Sequence, residues 1–327
     1  MQHLERDMPM GRVAHAARRR RIWVDLLLYP GHTLPTAAAP VLVAIGLALH
    51  EGLFAAGPAL AAFFASWCIH VGGVFTDNLM LITRHSSVRE HPELLDALED
   101  GTLTTRGLRA AIVTCFGASV LAAPYLAGVV GWPTVLVLGA IGCAAAIAYS
   151  AGPLPYAQLG VADPVFFAMF AFAAVPGAFA VQAAAHWTLT SRSFADVWRL
   201  IPGQAFVLGV PVGALVTNVL LIDEIRDVDW DRAKGWHSGA VRFGRDWSQV
   251  ELSALTAIAY ALPFWFWRGL HYGPLVLLPF LTLPAAVGLA ARVARAKTFD
   301  ELVPMTPKAS ALALEFAALL GLGLAMS

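Results

Sequence analysis

In the segment Asn218-Val-Leu-Leu-Ile-Asp-Glu-Ile-Arg-Asp-Val-Asp-Trp-Asp-Arg-Ala-Lys-Gly235, the carboxylates Asp223, Asp227 and Asp231 recur at intervals of four residues. On a helix each such step rises about 6 Å and drifts by roughly 40°, so the three share one face. Aligned carboxylates repel one another and are costly to strip of water, so the stripe needs cations beside it. Mg²⁺ would serve, because it takes a few carboxylate ligands and keeps open positions for water or phosphate. The same charges also fit a solvated acidic segment neutralised by Arg226, Arg232 and Lys234. A second polar interruption, Asp77-Asn78, falls in the apolar run His70-Val-Gly-Gly-Val-Phe-Thr-Asp-Asn-Leu-Met80. An ionisable residue inside a membrane span marks a functional site by default. Gly72 and Gly73, one turn earlier, leave room for a close helix or a ligand. His70 fits an interior, hydrogen-bonded histidine, and the sequence assigns it no role.

The elements that must position these residues are membrane helices. Of 327 residues, 58% are apolar and 13% charged, against roughly 45–50% and 25% in soluble domains, which excludes a water-soluble globule. Lys+Arg and Asp+Glu are both 22, so no basic excess argues for nucleic acid as a partner. Cys68, Cys115 and Cys143 lie in apolar runs without metal-like spacing and support neither a disulfide framework nor a zinc site. Nine stretches, at about 22–49, 53–83, 105–127, 132–150, 162–186, 197–222, 250–268, 272–293 and 308–325, predict an all-α membrane protein with nine transmembrane helices. They form a single domain over 22–327 behind a basic leader, 1–21, whose Arg18 to Arg21 suit an anionic lipid surface. With the N-terminus cytoplasmic, that face receives 19 of the 22 Lys and Arg, leaving Arg192, Arg199 and Arg268 outside. Both long hydrophilic loops, 84–104 and 223–249, then lie on the cytoplasmic side, as does the chemistry. The stretch 91–98 predicts a short helix, an interfacial connector or a lid. Arg exceeds Lys 19 to 3 and Ala is abundant, which suggests a GC-rich bacterial genome and a bacterial cell membrane.

Three separate pieces, in order, resemble the UbiA superfamily of intramembrane aromatic prenyltransferases, and most of all its menaquinone-pathway branch. Asp-Glu-Ile-Arg-Asp-Val-Asp-Trp-Asp-Arg-Ala-Lys-Gly at 223–235 with Ala-Val-Arg-Phe-Gly at 240–244 is similar to the family's N-N-x-R-D-x-x-x-D-x-x-x-G…A-V-R-x-G. Pro30-Gly-His-Thr-Leu-Pro35 with Ala39-Pro-Val-Leu-Val43 resembles the R-P-x-T-L-P…A-P-V-L-V opening, and Gly152-Pro-Leu-Pro-Tyr-Ala-Gln-Leu-Gly160 resembles the G-P-x-P-L-x-Y-x-x-L-G loop. The resemblance implies a UbiA-like bundle around a central cavity capped on the cytoplasmic side. It also implies Mg²⁺ as cofactor, a prenyl diphosphate donor, an aromatic acceptor of the naphthoate or quinone-precursor kind, and the bilayer as surroundings. Position by position it makes Asp77, Asp227 and Asp231 catalytic, and these with Asp223 the metal ligands. Asn78, Arg84, Asp223, Arg226, Lys234, Arg242, Asn218, Tyr149 and Tyr156 become the substrate-binding candidates.

The departures are specific. The family's first motif, N-D-x-x-D, is here Thr76-Asp-Asn-Leu-Met80, so Met80 stands where the second aspartate belongs. Tyr29 replaces the opening Arg, and Trp236-His237-Ser238 replace Lys-Arg-Thr, removing two cations expected near pyrophosphate. An alternative is a UbiA-type terpene cyclase, whose cation Phe166, Phe167, Phe170, Phe172 and Tyr156 would stabilise through their π faces. A second alternative is a non-catalytic membrane binder or transporter, although no internal repeat of the transporter kind is visible.

Overall fold

Apolar runs broken by short polar turns dictate helices, because a backbone in hydrocarbon must satisfy its polar groups within each segment. A computed structural model describes residues 33–84, 92–187 and 193–327. Every regular element among the described residues is helical. The principal helices are α1 (Thr33–His50), α2 (Ala56–Arg84), α3 (Thr105–Val130), α4 (Trp132–Ala148), α5 (Ala162–His186), α6 (Gly203–Lys234), α7 (Arg245–Gly269), α8 (Pro274–Arg295) and α9 (Met305–Ala325). Among the described residues seven stretches are long and apolar enough to cross a membrane: α2, α3, α5, α6, α7, α8 and Phe299–Ala325, which contains α9. The expected span at 132–150 appears instead as the shorter apolar helix α4, and the described part of the expected span at 22–49 forms α1. Gly131, at φ 82°, bounds α4 at its start, and the proline-rich turn after Tyr149 bounds its end. The basic leader, Tyr29, Pro30 and Arg89 lie outside the described residues.

Helix α6 is the axis of the bundle. Of its most apolar 18 residues 83% are buried, against 22% for α3, and it packs against α1, α5, α7 and α9. Among lipid tails apolar area gains little from helix association, so close contact between small residues has to hold the helices together. Gly213 shows this: a Cβ there would come within 2.8 Å of the Ala171 Cβ and 2.9 Å of the Phe167 carbonyl oxygen on α5. Around that contact α5 loosens into a π-helical turn, Met169–Ala174, a distortion that often accompanies functional sites. Leu208, Leu221, Ile222 and Ile225 of α6 form the main apolar core with Leu47 of α1, Phe266 of α7 and Phe316 of α9. A smaller core joins Phe75 and Leu79 of α2 to Leu103 and Leu108 at the start of α3. The short helix Pro92–Glu99 buries Leu94 and Ala97 in that second core, and Leu94 also lines the cavity described below.

The polar end of α6 is fixed by its cap. Gly235 takes the left-handed conformation, φ 76°, that ends a helix at little cost only for glycine. Trp236 then donates its backbone N–H to the Asp231 carbonyl at 2.9 Å, closing the turn. The chain after it is tied to the turn following α4, because His237 N donates to Gln158 O at 3.0 Å and Arg242 Nη1 to Leu159 O at 2.9 Å. Two of the three motif pieces, 152–160 and 240–244, therefore meet in space.

Candidate functional site

A cavity of about 1190 Å³ runs inside the bundle, lined by residues of α1 to α6. Its wall is mostly apolar, with Val41, Ile69, Leu136, Leu138 and Val181 among the side chains that form it. The polar groups gather where α2 and α6 end: Asp77, Asn78, Asp223, Glu224, Arg226, Asp227, Asp231 and Lys234 all face this space. The α2 carboxylate and the α6 stripe thus share one cavity, and Asp77 lies near enough to Lys234, Asp231 and Asp223 to feel their charges.

Within the stripe, each carboxylate has an assigned partner. Arg226 Nη1 pairs with Asp223 Oδ1 at 2.6 Å, while Nε and Nη2 grip Asp227 in a two-bond fork at 2.6 and 2.5 Å. Thr306 Oγ1, on α9, donates to Asp223 Oδ1 at 2.7 Å. Asp231 receives Lys234 Nζ at 2.9 Å and Ser238 Oγ at 2.8 Å. The Lys234 ammonium also rests over the Trp236 ring, 3.8 Å from its centroid, a contact that favours a cation. Trp236, which stands where a cationic residue was expected, therefore holds a cation in place, and Ser238 holds a carboxylate. Glu224 Oε2 accepts the Ala240 N–H at 3.2 Å. Gly239 makes this possible, since a Cβ there would lie 2.8 Å from both Glu224 Oε2 and Asp163 Oδ2.

Tyr149 and Tyr156 line the same cavity. Their rings meet edge to face at 5.5 Å, and Tyr156 donates its hydroxyl to the Ala145 carbonyl at 3.0 Å. Burial, with the Asp77 charge adding to it, pushes the Tyr156 phenol above its ordinary range, so it stays a proton donor.

The structure sets three of the expected binding residues apart. Asn218 is turned away from the main cavity and donates its amide to Thr256 Oγ1 on α7 at 2.8 Å; five residues before Asp223, it falls on the opposite face of α6. Arg84 ends α2 exposed and is not in the cavity wall. Arg242 is spent on the Leu159 carbonyl. Met80 packs into the α2–α3 core, while its neighbour Leu81 faces the cavity. The motif position occupied by Met80 is therefore a packing position in this chain. Of the aromatic residues, Phe166 and Phe170 line the cavity, whereas Phe167 packs against the main core and Phe172 is exposed. Sequence reasoning missed Glu224, Ser238 and Thr306. The first two lie in or beside the motif and were open to notice; Thr306, 83 residues from Asp223, carries no local signal.

Among the described residues no three His, Cys, Asp or Glu side chains already close into a metal-holding group. The donor set still fits Mg²⁺, which is commonly bound by one or two carboxylates and completed by water and phosphate oxygens.

This fold and site define a class. Residues 37–303 match the UbiA prenyltransferase family, and the chain belongs to it. With its apolar helices, that makes it an integral membrane protein. Within the family it is similar to two enzymes named 1,4-dihydroxy-2-naphthoate octaprenyltransferase. The one from Escherichia coli (strain K12) is 27% identical over 231 residues, 69% of this chain and 70% of the relative. The one from Mycobacterium tuberculosis (strain ATCC 25618 / H37Rv) is 27% identical over 255 residues, 75% and 80% respectively. In fold, the chain is similar to a UbiA homologue from Aeropyrum pernix K1, at TM-score 0.62 and 19% identity, covering 90% of this chain and 96% of the other. It is also similar to a digeranylgeranylglyceryl phosphate synthase, at TM-score 0.56 and 10% identity, covering 94% and 99%.

Proposed function

We propose that the protein is a Mg²⁺-dependent membrane prenyltransferase that ionises an allylic prenyl diphosphate and alkylates an aromatic acceptor of the naphthoate or quinone-precursor type. The observation that carries this reading is the convergence of Asp77 from α2 with Asp223, Asp227 and Asp231 from α6 at the polar end of one apolar cavity. The relatives' names supply the acceptor class.

In this reading Asp77, Asp227 and Asp231 are catalytic, and with Asp223 they would hold the metal, which supplies positive charge to the departing diphosphate. Lys234 and Arg226 add fixed cations at the same end, already aimed before the charge develops. The donor's C–O bond breaks with its electron pair leaving on pyrophosphate. A ring carbon of the acceptor supplies the pair for the new C–C bond and then sheds its proton, or its carboxylate as carbon dioxide. The apolar wall takes the isoprenoid tail and keeps water from the allylic cation. Tyr149, Tyr156, Phe166 and Phe170 present ring faces and edges near this path, and a ring face stabilises a passing cation. Asn78, whose amide donates to Val74 O at 3.0 Å, leaves its carbonyl oxygen as an acceptor for water or donor groups.

The leader, the cytoplasmic placement of the polar end and a bacterial membrane complete the proposal, on the charge asymmetry of the loops. Both substrate tail and product are lipid-soluble, which suits a site within the bilayer. The test is mass spectrometry of products from membranes given prenyl diphosphates of graded length, with and without 1,4-dihydroxy-2-naphthoate. A prenylated naphthoid product supports the reading; a hydrocarbon released without acceptor would replace it with cyclisation, and no consumption of donor would reject both.

A further inference from the structure

Helix α6 carries one buried acid that the proposed reaction does not use. Glu224 stands seven residues before Asp231, which is two helical turns, so the two carboxylates share a face roughly 10 Å apart along the axis. The segment 238–240 bridges them. At one end Ser238 Oγ donates to Asp231 Oδ2 at 2.8 Å, and at the other the Ala240 N–H donates to Glu224 Oε2 at 3.2 Å. Asp163, in the first turn of α5, closes the far side, because a Cβ on Gly239 would lie 2.8 Å from its Oδ2. Glu224, Asp231, Ser238 and Ala240 are all buried.

Ser238 is the N-cap of the short helix Gly239–Phe243. A serine in that place ordinarily turns its oxygen to a backbone N–H of the first turn. Ser238 makes no such bond; its oxygen faces Asp231 instead, and Glu224, from another helix, supplies the acceptor that the Ala240 N–H needs. The exchange follows from the chemistry of the groups. An ionised Asp231 can only accept hydrogen bonds, so a hydroxyl can meet it and a second carboxylate cannot. Without Glu224 the buried Ala240 N–H is left unmet, which draws the Ser238 oxygen back to its own helix and away from Asp231. A carboxylate that binds metal is oriented by the hydrogen bonds it accepts, and its affinity depends on them. We propose that Glu224 is a positioning residue for the metal site: by capping the turn at Ala240 it leaves Ser238 to hold Asp231 in the orientation that takes Mg²⁺. This inference rests on Asp231 as a metal ligand in the prenyl-transfer reading.

The test uses the full chain in detergent, with Mn²⁺ and inorganic pyrophosphate as probes and the rise in melting midpoint as the readout. In Glu224→Met the Mn²⁺ level that gives half the rise should increase about ten-fold, the usual cost of losing a group that orients a metal ligand. Ser238→Ala should do the same, and the double variant should be no weaker than either alone, because both changes act along one path. Glu224→Gln keeps an oxygen for the Ala240 N–H and drops the charge, so it should stay within about two-fold of the native protein. Gly239→Ala leaves both partners in place and only parts them; it should also weaken Mn²⁺ about ten-fold, and it carries the test if Glu224→Met does not fold. In turnover, the weakened variants should need more Mg²⁺ for half-maximal rate and lose less in kcat. A Glu224→Gln protein as weak as Glu224→Met would assign the effect to charge and overturn the inference. Additive losses in the double variant, or a native Mn²⁺ response in Gly239→Ala, would overturn it too, and a native protein indifferent to Mn²⁺ would remove it together with the metal claim. Mn²⁺ losses in the expected order without any prenyl transfer would reject the proposed function and leave the role of Glu224 standing. Prenyl transfer by a Glu224→Met protein with a native Mn²⁺ response would do the reverse.

Discussion

Arg226 holds its sequence neighbour Asp227 through two parallel bonds, Nε to Oδ1 at 2.6 Å and Nη2 to Oδ2 at 2.5 Å. Consecutive helical residues point about 100° apart, so the guanidinium must fold along the helix to reach this carboxylate. The same group reaches Asp223 through Nη1 at 2.6 Å. A planar fork can serve two carboxylates at once, which the single ammonium of lysine cannot copy. Both Arg226 and Asp227 are buried. Arg226→Met should therefore leave carboxylates without their cation and cost about 3–5 kcal/mol, seen as a lower melting midpoint in detergent. Arg226→Lys should keep more stability and still lose at least ten-fold in donor turnover. An Arg226→Met protein as stable and active as the native one would contradict this account.

Carboxamides in place of the acidic groups separate ligand charge from shape. Asp227→Asn and Asp231→Asn should each abolish pyrophosphate release, and Asp77→Asn should impair it strongly. Retained turnover in both α6 variants would refute the site assignment.

Lys234 is held between Asp231 and the Trp236 ring. Lys234→Met should raise the donor KM by about ten- to a hundred-fold, the effect of losing a charged hydrogen bond worth roughly 1.5–3 kcal/mol. Trp236→Leu, which removes the ring beneath the ammonium, should produce a smaller rise in the same direction. Donor titrations of the two variants check the order; an unchanged KM in Lys234→Met would show that the ammonium does not meet the diphosphate.

The contact between α5 and α6 depends on the missing side chain at Gly213. Gly213→Val should force the π-helical turn away from α6 and cost about 1–3 kcal/mol. It should also lower turnover, because Phe166 and Phe170 ride on α5. Thermal unfolding and donor kinetics of the same preparation check both effects, and a native-like result in each would show that the contact is not tight.

Hydropathy made the all-helical membrane fold legible, because each span must satisfy its own backbone. The four-residue spacing of Asp223, Asp227 and Asp231 made the acidic stripe legible for the same local reason. Asp77 was found as an ionisable residue in an apolar run, and it lines the cavity with them. What stayed hidden was tertiary. Met80 stands where the family motif has its second aspartate, and the turn of α2 packs it into the core with α3. Asn218 belonged to the same run of residues as the stripe but to the other face of the helix. Thr306 reaches Asp223 from α9, a contact that no local pattern encodes. Trp236 stands where the family pattern has a cation, and the Gly235 cap folds it back onto Lys234 while Ser238 meets Asp231.

The central claim is that carboxylates from α2 and α6 act through Mg²⁺ on a prenyl diphosphate. The most direct measurement is pyrophosphate release from a polyprenyl diphosphate by the purified protein, with 1,4-dihydroxy-2-naphthoate present, as Mg²⁺ is added to and then chelated from native protein and Asp227→Asn. The account predicts release that rises with Mg²⁺ and stops on chelation in the native protein, and no release from the variant at any Mg²⁺ level. Release that persists after chelation, or that Asp227→Asn matches, would contradict it.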